Sequence, residues 1–405
     1  MKTPWIVFAV ALVPLSALLH SVTLLVAGSL IITLATTSRL WAKYSLSRVE
    51  YHHSLSASRA FIDEEVKFTV QVTNRKFLPL PWVQITDEIP MQLRPLQGHT
   101  IQAPHPRRVA LTSAFSMSWY HRITRTYTLR CEHRGHFYLG PTRIRSGDIF
   151  GMATQEKDME RDLYLTVYPR VLPLVAARLP SWEPYGNLRV PRTLVEDLTR
   201  PVGSREYMVG DSLRHVDWKS TARTGRLQTR IFDSSATANL VLFLGARTIE
   251  PPLLGSIPHL LELSVLTTTA MANYALSYGH PVGVYVNQTS PITSQLLQVH
   301  PSRHQEQLTR ILEVMAQVHP DESVSMAALL LERARSLPWG TSIVVVTAVP
   351  DEATMITLAR LRRAGWGVAL VHIGGGPTKS MTGSVPRYTV PDNPDWRQVQ
   401  EVVLQ

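Results

Sequence analysis

Between Trp5 and Ser38 the chain carries no Asp, Glu, Lys or Arg, and no other feature so restricts what it can fold into. The stretch is built from Val, Leu, Ile, Ala and Thr, broken by Pro14, Ser16, His20 and Gly28. A membrane-spanning helix needs ~20 such residues, and this run is longer. As one straight helix it would reach about 50 Å at ~1.5 Å per residue, against a hydrocarbon core of ~30 Å. Two short helices turning near His20-Ser21 fit that thickness better; one long tilted helix is the alternative. Only Lys2 precedes the run, and no small-x-small cleavage pattern stands before Arg39, so an anchor is expected rather than a removed leader. Arg39, Lys43 and Arg48 outweigh Lys2, which places the bulk of the chain in the cytoplasm at the plasma membrane.

The 405 residues suffice for two or three domains with cores of their own. A net charge of +10 admits nucleic acid, anionic lipid or an acidic partner. No arginine-glycine run, zinc spacing or RNA-binding signature accompanies the charge, which argues against nucleic acid. Arg39, Lys43, Arg48 and Arg59 cluster beside the apolar run, so membrane lipid headgroups are the simpler partner. The single cysteine, Cys131, excludes an intrachain disulfide.

Residues 1–45 read as the transmembrane segment and 46–170 as a small β-sandwich. The octet Glu65 to Val72 alternates polar and apolar with period two, and Trp82 to Ile85 alternates again after turn residues at Asn74 to Pro81. Val109 to Phe115, Arg122 to Leu129 and Thr142 to Arg145 are further strands. The histidines here are scattered. The densest group, His133-Arg134-Gly135-His136, reads as a hydrogen-bonded turn ahead of a metal site, and His52-His53 as solvated linker.

Residues 171–235 read as a connector. Leu172 to Pro201 is rich in Pro, Arg and Leu and is expected to be extended, near the aromatic residues Trp182, Tyr185 and Trp218. Gly210 to Leu227 then packs two acids, a tryptophan, a lysine and three arginines into eighteen residues. Asp211 is expected to cap a helix that Gly225 ends in a left-handed turn. Arg214, Asp217, Lys219 and Arg223 alternate in sign along it and suit a salt-bridge web, either as a docking face or as a brace between domains. Arg226 to Phe232 alternates as a strand.

From residue 236 to 405 the pattern becomes α/β. Strands are expected at Leu240–Leu244, Pro281–Val286, Ser342–Thr347 and Gly367–Ile373, and helices at Pro258–Tyr278, Ser302–Val318, Met326–Ser336 and Glu352–Ala364. Their alternation implies a doubly wound parallel sheet covered on both faces. Glu401 to Gln405 reads as the end of a short helix begun near Asp395. Gly374-Gly375-Gly376-Pro377 lacks the Lys-Ser/Thr ending and the helix of a phosphate loop, so no cofactor is expected there.

Three blocks carry a family resemblance: Gly210, Asp211, Arg214, Asp217, Trp218, Lys219, Ala222 and Arg223; then Arg134-Gly135, Leu139-Gly140-Pro141, Asp148, Phe150 and Gly151; and Val167-Tyr168-Pro169-Arg170. In order and spacing they resemble the bacterial domain-of-unknown-function 58 family (DUF58). That family has no agreed activity. The resemblance implies an amino-terminal helical hairpin, a von Willebrand factor A-like carboxyl-terminal domain, and a MoxR-type AAA+ ATPase as partner. Such A-like domains often hold Mg²⁺ through Asp-x-Ser-x-Ser after the first strand, because a hard cation takes oxygen ligands with at least one carboxylate. Here Gly245 stands where the first Asp would be, Arg247 follows, and only Thr347 and Asp351 remain, so no metal is expected.

The expected function is a non-catalytic, membrane-anchored adaptor working with that ATPase in assembly or maturation of envelope or other protein complexes. Gly210, Asp211, Arg214, Asp217, Trp218, Lys219 and Arg223 would form the partner surface, since Trp and Arg dominate hot spots. The alternatives are lipid binding and a membrane-proximal hydrolase with Asp211 and Asp217 as its acid pair.

Overall fold

The computed structural model describes residues 19, 22–159, 162–176, 201–208, 213–232, 239–250, 255–338, 340–375 and 385–405. They form two units, Met1–Tyr168 and Pro169–Gln405. The body is rich in sheet and follows an apolar amino-terminal helix.

That helix, α1 (Val22–Ser45), is long and apolar enough to cross a membrane. Two of its hydroxyls are satisfied within the helix: Thr33 donates to the Ser29 carbonyl at 2.8 Å and Thr36 to that of Ile32 at 2.9 Å. The expected turn at His20-Ser21, and with it one span or two, lies outside the described residues. The last two turns of α1 bury Ser38, Ala42 and Ser45.

Next in the first unit come β1 (Val49–Leu55), β2 (Arg59–Phe61), β3 (Glu65–Asn74), β4 (Leu80–Pro90), β5 (Leu93–Pro95) and β6 (His99–Gln102). β7 (Arg108–Met117), β8 (Arg122–Cys131), β9 (Gly135–Leu139), β10 (Thr142–Gly147), β11 (Thr154–Met159) and β12 (Leu163–Tyr168) complete it. One sheet runs β1-β3-β8-β5 and a second β11-β10-β4-β7-β6, with a small β2-β12-β9 sheet beside them. The period-two reading of β3 holds: Val66, Phe68, Val70 and Val72 are buried while Glu65 and Lys67 are exposed. Hydrogen bonds cross between the two main sheets, from Tyr51 on β1 to Asp87 on β4 and between Ser113 on β7 and Tyr127 on β8, each 2.5 Å. The His133–His136 segment opens β9 and holds no metal grouping; the His136 ring bonds Thr166 at 2.9 Å and stacks on Tyr164, and its burial there lowers its pKa.

The second unit begins with β13 (Leu174–Ala176), β14 (Pro201–Glu206), α2 (Trp218–Thr224) and β15 (Gln228–Phe232). Its main sheet has the order β18-β17-β16-β19-β20-β21, built from β16 (Leu240–Leu244), β17 (Val282–Thr289), β18 (Leu296–Ser302), β19 (Ser342–Thr347), β20 (Gly367–Ile373) and β21 (Arg387–Val390). All pair in parallel except β18, which runs antiparallel to β17 at the edge. The helices are α3 (Pro258–Ser277), α4 (Gln307–Gln317), α5 (Met326–Ala334) and α6 (Glu352–Arg363). Val241, Phe243, Ile343, Val345, Val368 and Leu370 meet Leu329, Leu330 and Leu358 of α5 and α6 on one face. α3 packs on α4 and on β16, β17, β19 and β20.

The fold corrects three expectations. Residues 302–306 are not helical, because the chain first returns as edge strand β18 and α4 begins only at Gln307. The carboxyl terminus is not a helix: after a 3₁₀ turn at Trp396–Gln398 it forms β22 (Val402–Leu404). β22 pairs in parallel with β13, so the start of the connector belongs to the second unit's framework rather than to a loose linker. Trp182 and Tyr185 lie outside the described residues.

Candidate functional site

Two places in the second unit concentrate chemistry. The first is the small structure formed by β14, β15 and α2. The strands pair antiparallel, and the chain between them makes a 3₁₀ turn at Leu213–His215, a single bridge from Val216 to Thr229, and then α2. The expectation that Asp211 caps this helix is not met by the helix's position. α2 starts at Trp218, and its cap is Asp217, whose Oδ1 accepts from the Lys219 and Ser220 amides at 3.2 and 3.3 Å. The Val216 bridge pins the chain in an extended conformation and so delays the helix by six residues. The Ser220 amide, then the Ser220 hydroxyl at 3.0 Å, hold the Asp217 carboxyl below its ordinary pKa. Gly225 does end the helix, with φ +70°, and its amide bonds the Thr221 carbonyl at 2.9 Å.

No salt-bridge web forms among Arg214, Asp217, Lys219 and Arg223 in the described residues; an ion pair in this element joins Arg226 to Glu206 at 3.0 Å. Asp217 is committed to the cap, which leaves the three cations without it. The inner face of α2 is polar: Thr221 accepts from the Gln228 amide at 3.0 Å and Ser220 meets Ser204 at 3.2 Å. Trp218, Lys219, Ala222 and Arg223 point outward, and α2 has no buried residue. Trp218 is 68 % exposed, and Leu213, Met208 and Leu227 are exposed nearby in sequence. Gly210 and Asp211 lie outside the described residues.

The second place is the crevice at the carboxyl ends of β16 and β19. The chain leaves β16 for β17 on one side and later returns to β19 on the other, and such a switch point is where open α/β sheets bind ligands. A cavity of about 20 Å³, room for one water, is lined by Gly245, Arg247, Asn287, Glu322, Thr347 and Asp351 among others. Gly245 is required by close approach: a Cβ there would sit 2.7 Å from Thr347 Oγ1. The Arg247 guanidinium lies 3.6 Å from Glu322 and 3.8 Å from Glu250. Burial raises the Glu322 carboxyl pKa, Arg247 draws it down, and Asp351 pushes it up. The Thr347 hydroxyl is bonded within its own loop, accepting from the Val349 amide at 3.1 Å. These residues do not fit a Mg²⁺ site of the kind the resemblance implies: an aspartate at position 245 would strike Thr347, and a guanidinium already neutralises Glu322. Among the described residues no group of three His, Cys, Asp or Glu could hold a metal. Sequence reading found Gly245 and Arg247 but missed Glu322 and Asn287, which only the fold brings to this crevice.

The family model described as "Protein of unknown function DUF58" matches residues 203–367. The uncharacterized protein YeaD of Bacillus subtilis is 25 % identical over 209 residues, covering 51 % of this chain and 50 % of that protein. The chain thus spans about half the length of the curated relative it matches. Among solved structures, a cohesin module from a Clostridium perfringens glycoside hydrolase covers 30 % of this chain and 98 % of its own, at 8 % identity and a TM-score of 0.20. A non-cellulosomal cohesin from Archaeoglobus fulgidus covers 29 % and 91 % at 13 % identity and the same TM-score. Similarity at that level carries no argument about function.

Proposed function

We propose that this chain is a non-catalytic adaptor, anchored in the plasma membrane by α1, that presents the outward face of α2 to a MoxR-type AAA+ ATPase. The observation that carries this reading is Trp218, 68 % exposed on a helix with no buried residue. A seven-residue helix on a two-stranded ribbon has little to stabilise it in isolation, and a large aromatic left in water there is the signature of a contact surface. Lys219 and Arg223 lie four residues apart on that face, a like-charge spacing that weakens an isolated helix and suits an acidic partner. Asp217, held ionised as a cap, is a poor general acid, which weighs against the hydrolase alternative.

The six-stranded sheet of the second unit serves in this reading as a von Willebrand factor A-like platform with Arg247 in place of a metal. Burial of the last turns of α1 in the first unit favours a retained anchor over a removed leader. The excess of Arg39, Lys43 and Arg48 over Lys2 supports a cytoplasmic body, the side this reading gives the ATPase.

The test is cross-linking and pull-down from native membranes with the wild-type chain and the Trp218→Ala, Arg223→Ala double variant, both first shown to be folded and inserted. Enrichment of an AAA+ ATPase by the wild type and its loss in the variant is the expected result. Equal recovery by both forms would move the dock elsewhere, and recovery by neither would remove the ATPase from the reading.

A further inference from the structure

The register of the first unit gathers three loops at one end of the sandwich. Val49 pairs with Asn74, Thr73 with Arg122, Leu80 with Met117, and Gly147 with Thr154. Ser146 pairs with Val83, close to the start of β4. The loops 75–79, 118–121 and 148–153 therefore leave the same edge, and this is the edge where α1 enters. Lys76 Nζ donates to the Ser45 and Ser47 carbonyls, the latter at 2.7 Å, and the Arg75 amide bonds the Arg48 carbonyl at 3.0 Å. With its amide oriented to donate, Gln155 reaches the Ala42 and Lys43 carbonyls at 2.9 and 3.0 Å.

The tips of these loops are apolar and in water. Phe77, Trp119, Tyr120, Ile149 and Phe150 are all exposed, and Phe77 stacks on Trp119 at 5.5 Å. The loops are held in shape. Buried Asn74 donates to the Leu78 and Ser118 carbonyls at 3.0 Å each, tying the first two together. Asp148 accepts from the Ala153 amide at 2.8 Å and the Phe150 amide at 3.2 Å, while Trp82 Nε1 donates to the Asp148 carbonyl at 3.0 Å. Asp148 is the one acid on the three loops, and it is buried; beside them Lys43, Arg48 and Arg122 are exposed and cationic, while Arg75 pairs with Glu50 at 2.8 Å. Exposed large apolar groups concentrated on ordered loops mark an interaction site. Aromatic side chains with basic neighbours, ringing the emergent end of an apolar helix, are the composition that lipid headgroup regions select.

We propose that this end of the sandwich rests in the lipid interface, with Phe77, Trp119, Tyr120, Ile149 and Phe150 as a rim around α1 that enters the headgroup layer. The proposal rests on the reading of α1 as a membrane anchor. It also gives the second motif block a role, since Asp148 shapes the loop that projects Phe150.

The experiment uses the full chain with Cys131→Ala, reconstituted in vesicles of phosphatidylcholine and phosphatidylglycerol containing doxyl-labelled phosphatidylcholine. A bimane label is placed by Trp119→Cys, by Phe150→Cys, by Leu30→Cys within α1, and by Met91→Cys at the far end of β4. All four sites are exposed, so labelling leaves the core intact. Loss of fluorescence at 30, 119 and 150 with retention at 91 is the expected result. Quenching at 30 without quenching at 119 and 150 overturns the rim and leaves the anchor standing. Quenching at none of the four overturns both. A blue shift at 119 and 150 without quenching means that protein covers this end, and the lipid assignment fails.

Discussion

Asp87 sits at the centre of the sandwich with its Oδ1 accepting from Tyr51 at 2.5 Å and from Thr142 at 2.7 Å, and its Oδ2 without a partner among the described residues. Burial outweighs those two hydrogen bonds and pushes its pKa up from 3.8 to about 6. The same burial, with the nearby carboxylate, raises the Tyr51 phenol. The folded chain therefore keeps the Asp87 proton to a higher pH than the unfolded chain does. Its contribution favours folding below pH ~4 and fades as pH rises to about 6, a swing on the order of 3 kcal/mol. Asp87→Asn keeps an acceptor for both hydroxyls and is expected to flatten the difference in thermal stability between pH 4 and 7; an unchanged slope would show that the carboxyl is not the source. At Arg247, titrating the protein with Mg²⁺ or Mn²⁺ in a calorimeter is expected to give no saturable heat. Micromolar binding would mean that Glu322 and Asp351 accept a cation despite the guanidinium. Both residues illustrate what a sequence hides: nothing in the alternation of β4 distinguishes a buried Asp87 from a surface one, and Glu322 is far in sequence from the arginine it meets.

At the level of elements, the joint between α1 and the sandwich is carried by Lys76. Its ammonium binds the Ser45 carbonyl at the carboxyl end of α1, where a helix is electronegative, and the Ser47 carbonyl just beyond it, and burial pushes its pKa down to about 8. Lys76→Met should cost about 2 kcal/mol locally through the lost charged hydrogen bonds. Hydrogen exchange is expected to quicken at residues 43–48 while the amides of β3 keep their protection; equal protection throughout would assign the joint to packing alone. Strands with strict alternation, such as β3, are legible because half-buried sheet imposes period two. The edge strands β6 and β11 are not, because their residues are mostly exposed and carry no such pattern. The helix at 218–224 starts later than its sequence suggests for a related reason. The sequence points to Asp211 as the cap, whereas the pairing of Val216 with Thr229 holds the chain extended up to Asp217, which caps the helix instead.

At the level of the whole molecule, each unit closes its own core, and a chain so divided is expected to unfold in more than one step. Scanning calorimetry is expected to resolve two transitions, with Asp87→Asn displacing only the one from the first unit; a single transition shifted as a whole would show that the units unfold together. The apolar amino-terminal helix, the change from period two to strand-helix alternation near residue 239, and the cation-rich Gly210–Leu227 motif were determined by sequence alone, because hydrophobic period and charge density are local properties of a chain. Tertiary structure decided which aspartate caps α2, that the start of the connector pairs with the carboxyl terminus, that Glu322 neutralises Arg247, and that five apolar loop residues collect where α1 ends. Each of these depends on contacts between segments distant in sequence, and the energy of such a contact is set by burial and geometry that exist only once the chain has folded.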